Sequence, residues 1–326
     1  MQNWACSRFM VGLRSPVGAC GPPVRAIHAI EEGPLMQFVN TPVLRIGYEE
    51  WNPHGTRCAI LLHGWPDSPR TWAAVAPVLA QSGWRVLVPA LRGFAPTTFL
   101  DPRTPRSGQL AALGRDLLEF IDALGLSQPA LIGHDWGARA AVNACVLRPG
   151  VASHLVMVSV GYGTNTPNQR LSLEQVRRYW YHWFMATPLG HRTVREQGRD
   201  FARIMWDTWA PPGWFDEAEF EATAQAFASP DWAEVTLSSY QHRWGHAEGD
   251  PRYADDDARL SEPVVLAVPT LVLHGAADTV NGPETSAGKE AFFRARYARE
   301  VLPGIGHFPQ REAPDVVCQA LLNFLG

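Results

Sequence analysis

Residues 130–138 read Ala130-Leu131-Ile132-Gly133-His134-Asp135-Trp136-Gly137-Ala138. An apolar run enters a short turn with glycine on either side, and a helical pattern leaves it toward Leu147. This is the form of a nucleophile elbow, in which flanking glycines let the chain swing from strand to helix and hold the central side chain above a sheet. Where such elbows commonly carry serine, this one carries Asp135. A helix N-cap would also accept aspartate, but a cap has no need of glycine on both sides.

The surrounding text alternates in the same way. Strand patterns are read at Gln37 to Asn40, Val43 to Glu50, Cys58 to Leu62, Arg85 to Val88, Ala130 to Ile132 and His154 to Val160. Helical spacing is read at Trp72 to Ser82, Leu110 to Leu124 and Ala138 to Leu147. Strands alternating with helices imply an α/β fold with a mostly parallel central sheet flanked by helices. From about residue 162 to 262 the chain reads as helices, at Leu171 to Met185, Thr193 to Ile204, Glu217 to Ala228 and Trp232 to Gln241. Asp255 to Asp257 reads as a solvated acidic turn. Strand signals return at Thr270 to Leu273 and Glu300 to Leu302, with helices expected at Gly288 to Tyr297 and Pro314 to Leu325. The expected organisation is therefore a core of residues 36–161 and 263–326 interrupted by a helical cap, 162–262. That insertion holds seven of the 13 tryptophans and five of the seven tyrosines, more aromatic surface than a peripheral helical layer needs for itself.

Composition narrows the function. The chain has 326 residues, 46% of them hydrophobic and 18% charged, which is a globular balance. A net charge of -4 lacks the basic surplus that nucleic acid demands. Every long apolar stretch is interrupted before the roughly 20 residues a membrane span requires. Cys6, Cys20, Cys58, Cys145 and Cys318 are scattered and odd in number, which reads as reduced thiols in a cytoplasmic protein rather than a disulfide framework or zinc site. Residues 1–35 carry Arg8, Arg14 and Arg25 with no acid before Glu31, and no sustained period. They read as an extension outside the folded unit, from either an upstream translation start or targeting.

A carboxylate at the elbow attacks carbon, forms an ester, and needs activated water to release it. His307, in Gly304-Ile305-Gly306-His307-Phe308, lies where the nucleophile-acid-histidine order puts the base, and Asp278, in His274-Gly275-Ala276-Ala277-Asp278, lies where its orienting acid is expected. Ester cleavage passes through an oxyanion, for which the backbone N–H groups of Trp136 and of Trp65, in His63-Gly64-Trp65-Pro66, are the candidate donors. No metal or organic cofactor is implied. The partners expected are a small molecule and water, and the chain is expected to be a monomer or homodimer.

With these motifs (His63 to Ser68, Gly133 to Ala138, His274 to Asp278, Gly304 to Phe308) the chain from about Phe38 onward resembles α/β-hydrolases of the epoxide hydrolase and haloalkane dehalogenase group. The resemblance implies an Asp nucleophile and, for epoxide hydrolases, two cap tyrosines that hydrogen-bond the epoxide oxygen. Tyr240, in Leu237-Ser238-Ser239-Tyr240, resembles one of them, although Gln241 stands where the family has arginine. Tyr181 is taken as the second, with Tyr179 the alternative, because the two lie two apart on different faces of one helix. Dehalogenases resemble the chain as well. His182, Trp183 and Tyr240 are similar to the halide-binding residues of fluoroacetate dehalogenases, and Arg139 to one of their carboxylate-binding arginines. The second of those arginines has no counterpart, since Trp136 occupies its place. His134 is a further pocket candidate. The order of expectation is epoxide hydrolysis, then haloacid or haloalkane dehalogenation, then ester or lactone hydrolysis, with a non-catalytic small-molecule receptor as the alternative from another class.

Overall fold

In the computed structural model, residues 34–166 and 169–326 are described; the 1–35 extension, with Cys6 and Cys20, lies almost wholly outside them. Nine strands form one sheet: β1 (Leu35–Asn40), β2 (Leu44–Trp51), β3 (Arg57–Leu62), β4 (Trp84–Pro89), β5 (Thr98–Phe99), β6 (Ala130–His134), β7 (His154–Val158), β8 (Thr270–Gly275) and β9 (Tyr297–Leu302). The order is β1-β2-β4-β3-β6-β7-β8-β9, with β5 paired to β2. Pairing is antiparallel around β2 and parallel from β4 to β9. The expected α/β class with a mostly parallel sheet is the one observed.

The central strands read as unbroken apolar runs because both their faces are covered. On one side Ile132, Val156 and Leu273 pack against α1 (Ala76–Gln81) and, at the chain's end, against Val317, Leu321 and Phe324. On the other side lie α2 (Leu110–Ala123), α3 (Trp136–Leu147) and a continuous aromatic layer. Between β7 and β8 the chain contributes helices: α4 (Leu173–Arg178), α5 (Trp180–Phe184), α6 (Pro188–Glu196), α7 (Gly198–Thr208), α8 (Glu217–Ala224), α9 (Trp232–His242) and α10 (Ala254–Leu260). After β9 come α11 (Pro309–Glu312) and α12 (Pro314–Leu325). Among the described residues, no helix is long and apolar enough to cross a membrane. Cys58, Cys145 and Cys318 are free thiols.

Several elements differ from the sequence reading for identifiable reasons. No helix spans 288–297: two short 3-10 turns stand near that segment, and Phe292 and Arg294 instead exchange backbone hydrogen bonds with Leu266. Gly288, at φ +66, has the left-handed backbone that ends a helix rather than starting one. The helix expected over Leu171 to Met185 is broken at Tyr179, and the one over Thr193 to Ile204 is two helices meeting at Gln197. The acidic run is not a solvated turn, because Asp256 is buried against Arg115 and Asp257 accepts from Gln109.

The elbow has no room for a side chain at either glycine. A Cβ on Gly133 would stand 2.2 Å from the Gly137 carbonyl oxygen, and one on Gly137 would stand 2.3 Å from that of Leu62. Both obstacles are backbone, which cannot move aside as a side-chain tip does. Gly137→Ala is therefore expected to cost at least about 3 kcal/mol, the upper range for overpacking. Urea denaturation checks this, and an unchanged midpoint would show that the β3–α3 contact is looser than drawn.

Candidate active site

The turn from β6 into α3 places Asp135 at φ 48 and ψ -112, a backbone conformation that costs a non-glycine residue of order 1–3 kcal/mol. The strain is held by the sheet below, where Asp135 N–H donates to Val158 at 3.2 Å. A Cβ on Gly64 would lie only 2.5 Å from that of Asp135, so the β3 loop closes directly onto the carboxylate. From that loop Trp65 N–H donates to Asp135 Oδ1 at 3.0 Å. The other oxygen, Oδ2, stands 3.9 Å from His307 Nε2.

His307, Asp278 and Asp135 are brought together from three loops. His307 Nδ1 and Asp278 Oδ2 are 2.8 Å apart. Because a carboxylate only accepts, Nδ1 carries the proton and Nε2 is left as a base facing Asp135. Asp278 Oδ1 accepts from the N–H groups of Val280 and Asn281 at 2.9 and 2.8 Å. Burial alone raises the Asp278 carboxyl, but the charge of His307 and the hydrogen bonds from His274 and His307 outweigh it and hold the group well below the carboxylate range. Burial lowers His307, and the charge and hydrogen bond of Asp278 reverse this, leaving it above its ordinary 6.5.

Trp136 is the first residue of α3, where amide N–H groups lack acceptors within the helix. Its indole Nε1–H donates to the Tyr240 hydroxyl at 3.2 Å. The Tyr240 oxygen thus accepts one bond and keeps its own proton to give. Burial, then the charge of Asp135, holds that phenol well above its ordinary value. Tyr181 stacks on Trp65 at 5.6 Å and meets the Tyr240 ring at 5.3 Å. Tyr179 is as buried, but its hydroxyl donates to Asn281 Oδ1 at 2.7 Å, one residue away from the triad, and burial pushes it up to about 12. The break between α4 and α5 lets both tyrosines turn inward, where one continuous helix would have pointed them apart.

The remaining candidates divide. His134 Nε2 meets the backbone oxygen of His307 at 2.8 Å, which also accepts from Ser159, so His134 lies beneath the site and fixes the histidine loop. Burial lowers it to about 4. His182 lies 4.5 Å from the Tyr240 ring and accepts Trp244 Nε1–H on Nδ1. Trp183 is directed away, its indole donating to Val176 and its ring packing on Trp244. Sequence reading missed Asn281, which joins Tyr179, Asp278 and Ser159, and Thr236, which accepts Trp65 Nε1–H at 3.0 Å. It also missed Glu312, whose two oxygens accept from the amides on either side of His307, Gly306 and Phe308. No local pattern marks these residues. Among the described residues, no group of three or more His, Cys, Asp or Glu is placed to hold a metal ion.

Comparison with known proteins places this geometry in context. Residues 60–314 match the model of the alpha/beta hydrolase fold. The chain is 25% identical over 316 residues to Epoxide hydrolase A of Mycobacterium tuberculosis, covering 90% of this chain and 97% of that protein. A crystal structure from Klebsiella pneumoniae, described as a candidate epoxide hydrolase, superposes with a TM-score of 0.84 at 36% identity, covering 92% of this chain and 99% of that one. Epoxide Hydrolase A from Mycobacterium thermoresistibile, at 22% identity and a TM-score of 0.70, shares the fold.

Proposed function

The chain belongs to the alpha/beta hydrolase fold family, and from that premise we propose that it is a hydrolase opening epoxides to vicinal diols through an ester on Asp135, beneath a cap formed by residues 162–262. The observation that carries this reading is a carboxylate at the elbow with its two oxygens in different roles. Oδ1 is held by Trp65 N–H, and Oδ2 faces outward toward a histidine base. The relatives named as epoxide hydrolases support the same reaction.

In the first half-reaction Asp135 Oδ2 attacks an oxirane carbon and forms the ester C–O bond while the ring C–O bond breaks. Tyr240, assisted by Tyr181, protonates the departing oxygen, since an alkoxide is more basic than even a buried phenol. In the second, His307 Nε2 takes a proton from water and the hydroxide adds to the ester carbon. Charge collects on Oδ1, where the Trp65 and Trp136 N–H groups stabilise it. Collapse expels the diol's second oxygen, which takes the proton of the newly formed carboxylic acid, and protonated His307 restores the proton to Tyr240. The net reaction is epoxide plus water to diol.

Two tryptophan N–H groups near the nucleophile are already engaged, Trp136 with Tyr240 and Trp65 with Thr236. This counts against a halide cradle made from those indoles. The direct test is a single turnover of styrene oxide in oxygen-18-labelled water with excess enzyme. Unlabelled diol and labelled Asp135 are expected, because the first diol takes its oxygen from the carboxylate; label in the first diol would overturn the ester route. Tyr240→Phe should slow the alkylation step about a hundredfold, the usual worth of a placed acid. Rapid-quench mass analysis should show no accumulated adduct, because ester hydrolysis is left intact.

A further inference from the structure

The loop after β3 that brings Trp65 N–H to Asp135 is gripped from outside by a side chain that the proposed chemistry does not use. Arg311 lies on α11, four residues past His307, and its side chain is only 8% exposed. Its Nε and Nη2 donate to Asp67 Oδ2 and Oδ1 at 3.1 and 2.7 Å, the two-bond hold of a guanidinium fork on a carboxylate. Nη1 donates to Glu219 Oε1 at 2.6 Å and Nη2 also to Thr223 Oγ1 at 3.0 Å, both on α8, and the guanidinium lies 4.9 Å over the Trp206 ring on α7. Nε further reaches Thr71 Oγ1 at 3.2 Å, and the other oxygen of Glu219 accepts from Arg70 at 2.7 Å. The neighbouring Glu312 accepts the two amides that flank His307. The β3 loop, α8 and the histidine loop thus meet on one short helix.

The hold on Asp67 reaches the nucleophile by a short path. Asp67 N–H donates to the Gly64 carbonyl at 3.2 Å, closing a turn in which Trp65 is the second residue. Asp67 is fully buried, and its Oδ1 also accepts Ser68 N–H at 2.7 Å. Burial raises its carboxyl, and the charge and hydrogen bonds of Arg311 reverse this. A buried ion pair returns little net stability once both charges have left water, so its geometry is the larger contribution. Here that geometry fixes a turn whose first residue already touches Asp135.

We infer that Arg311 is a positioning residue for the oxyanion hole. By holding Asp67 against α8 it fixes the 64–67 turn, and with it the Trp65 N–H, at Asp135 Oδ1. The inference rests on the ester route proposed above, because ester cleavage is the step that gathers charge on that oxygen.

Arg311→Gln alone leaves Asp67 buried without its cation, so the double variant Asp67→Asn with Arg311→Gln, which removes both charges, is measured beside it. In single turnovers of styrene oxide followed by rapid-quench mass analysis, the double variant should release the ester about tenfold more slowly or worse, approaching the roughly 10²-fold or greater loss of a whole oxyanion donor. Alkylation should change less, so the Asp135 adduct accumulates. The acid limb of ester release, set by His307, should stay where it is. A merely structural role would instead lower the fraction of active enzyme and leave both rate constants of the folded molecules alone. Hydrogen exchange adds a readout independent of turnover: residues 64–72 and 217–224 should lose protection while β6 and β7 keep theirs.

A folded double variant with wild-type ester release, or with a shifted acid limb and unchanged release above it, would overturn the inference. So would unchanged protection over residues 64–72. If the wild type forms no ester with styrene oxide while exchange in the double variant rises as expected, the hold of Arg311 on the turn stands and the epoxide reading fails.

Discussion

His307→Gln is expected to stop the enzyme after one chemical event, with the substrate left attached to Asp135. In the proposed scheme the alkylation step uses Asp135 and the tyrosines, whereas release of the ester depends on a base at Nε2, which glutamine does not supply. Turnover should fall roughly 10³-fold, within the range for loss of a general base. Intact-protein mass after incubation with styrene oxide should rise by the whole epoxide, and peptide mapping should locate it on Asp135. A gain equal to a haloacid less hydrogen halide, seen only with bromoacetate or fluoroacetate, would make dehalogenation the reaction; no adduct from any of the three would end the carboxylate-nucleophile scheme.

The same residue sets the pH dependence. In the proposed mechanism His307 must be neutral to act, and its pKa is raised above 6.5 by Asp278. Ester hydrolysis should therefore decline as pH falls through a value above 6.5, with adduct accumulating in the wild type on the acid side. Asp278→Asn removes the charge that raises His307, so it should slow the reaction and move this acid limb downward. The pair also contributes to stability. Asp278, depressed in the fold, stabilises at pH above about 3.9, an effect lost as pH falls through its lower folded value. The His307 contribution is full below about 6.5 and is lost as pH rises through its raised folded value. The excess stability of the wild type over Asp278→Asn should accordingly be larger at pH 6 than at pH 9.

Asp135→Asn is expected to lose at least about 10⁴-fold in activity, as removal of a nucleophile does in enzymes that work through covalent intermediates, while remaining folded. Asparagine is isosteric, tolerates positive φ better than most residues, and still offers an oxygen to Trp65 N–H. The thermal midpoint should therefore move little. If activity returns with time, the mass must show conversion of the amide to the acid in step with it, and stable activity in a protein that retains the amide would exclude the ester mechanism. Asp135→Ser keeps a nucleophile of the usual elbow type, and rapid epoxide opening by that variant would show that the carboxylate is not what defines the chemistry.

How much of this was legible in the one-dimensional text depended on whether the cause was local. The elbow could be read because Gly133 and Gly137 answer to contacts within a few residues of themselves and to the neighbouring β3 carbonyls, a steric demand that no other side chain meets. Asp278 and His307 could be read because chain order and the strands before them fix which loops meet. The α/β class followed from periodicity, since strands covered on both faces must be apolar throughout.

Other features had no local cause. Tyr179 and Tyr181 are both inward because the helix breaks at Tyr179, which packs on His182 and donates to Asn281 while Tyr181 stacks on Trp65. The segment 288–297 departs from helix because Leu266, distant in sequence, offers backbone partners. Glu312, Asn281 and Thr236 act through hydrogen bonds to groups that only the fold brings near. The sequence by itself determined the fold class, the place of Asp135 in the turn between strand and helix, and the order of the three loop residues. Only the tertiary structure decided which oxygen of Asp135 is held and which tyrosine meets the site, because both depend on contacts between elements far apart in the chain.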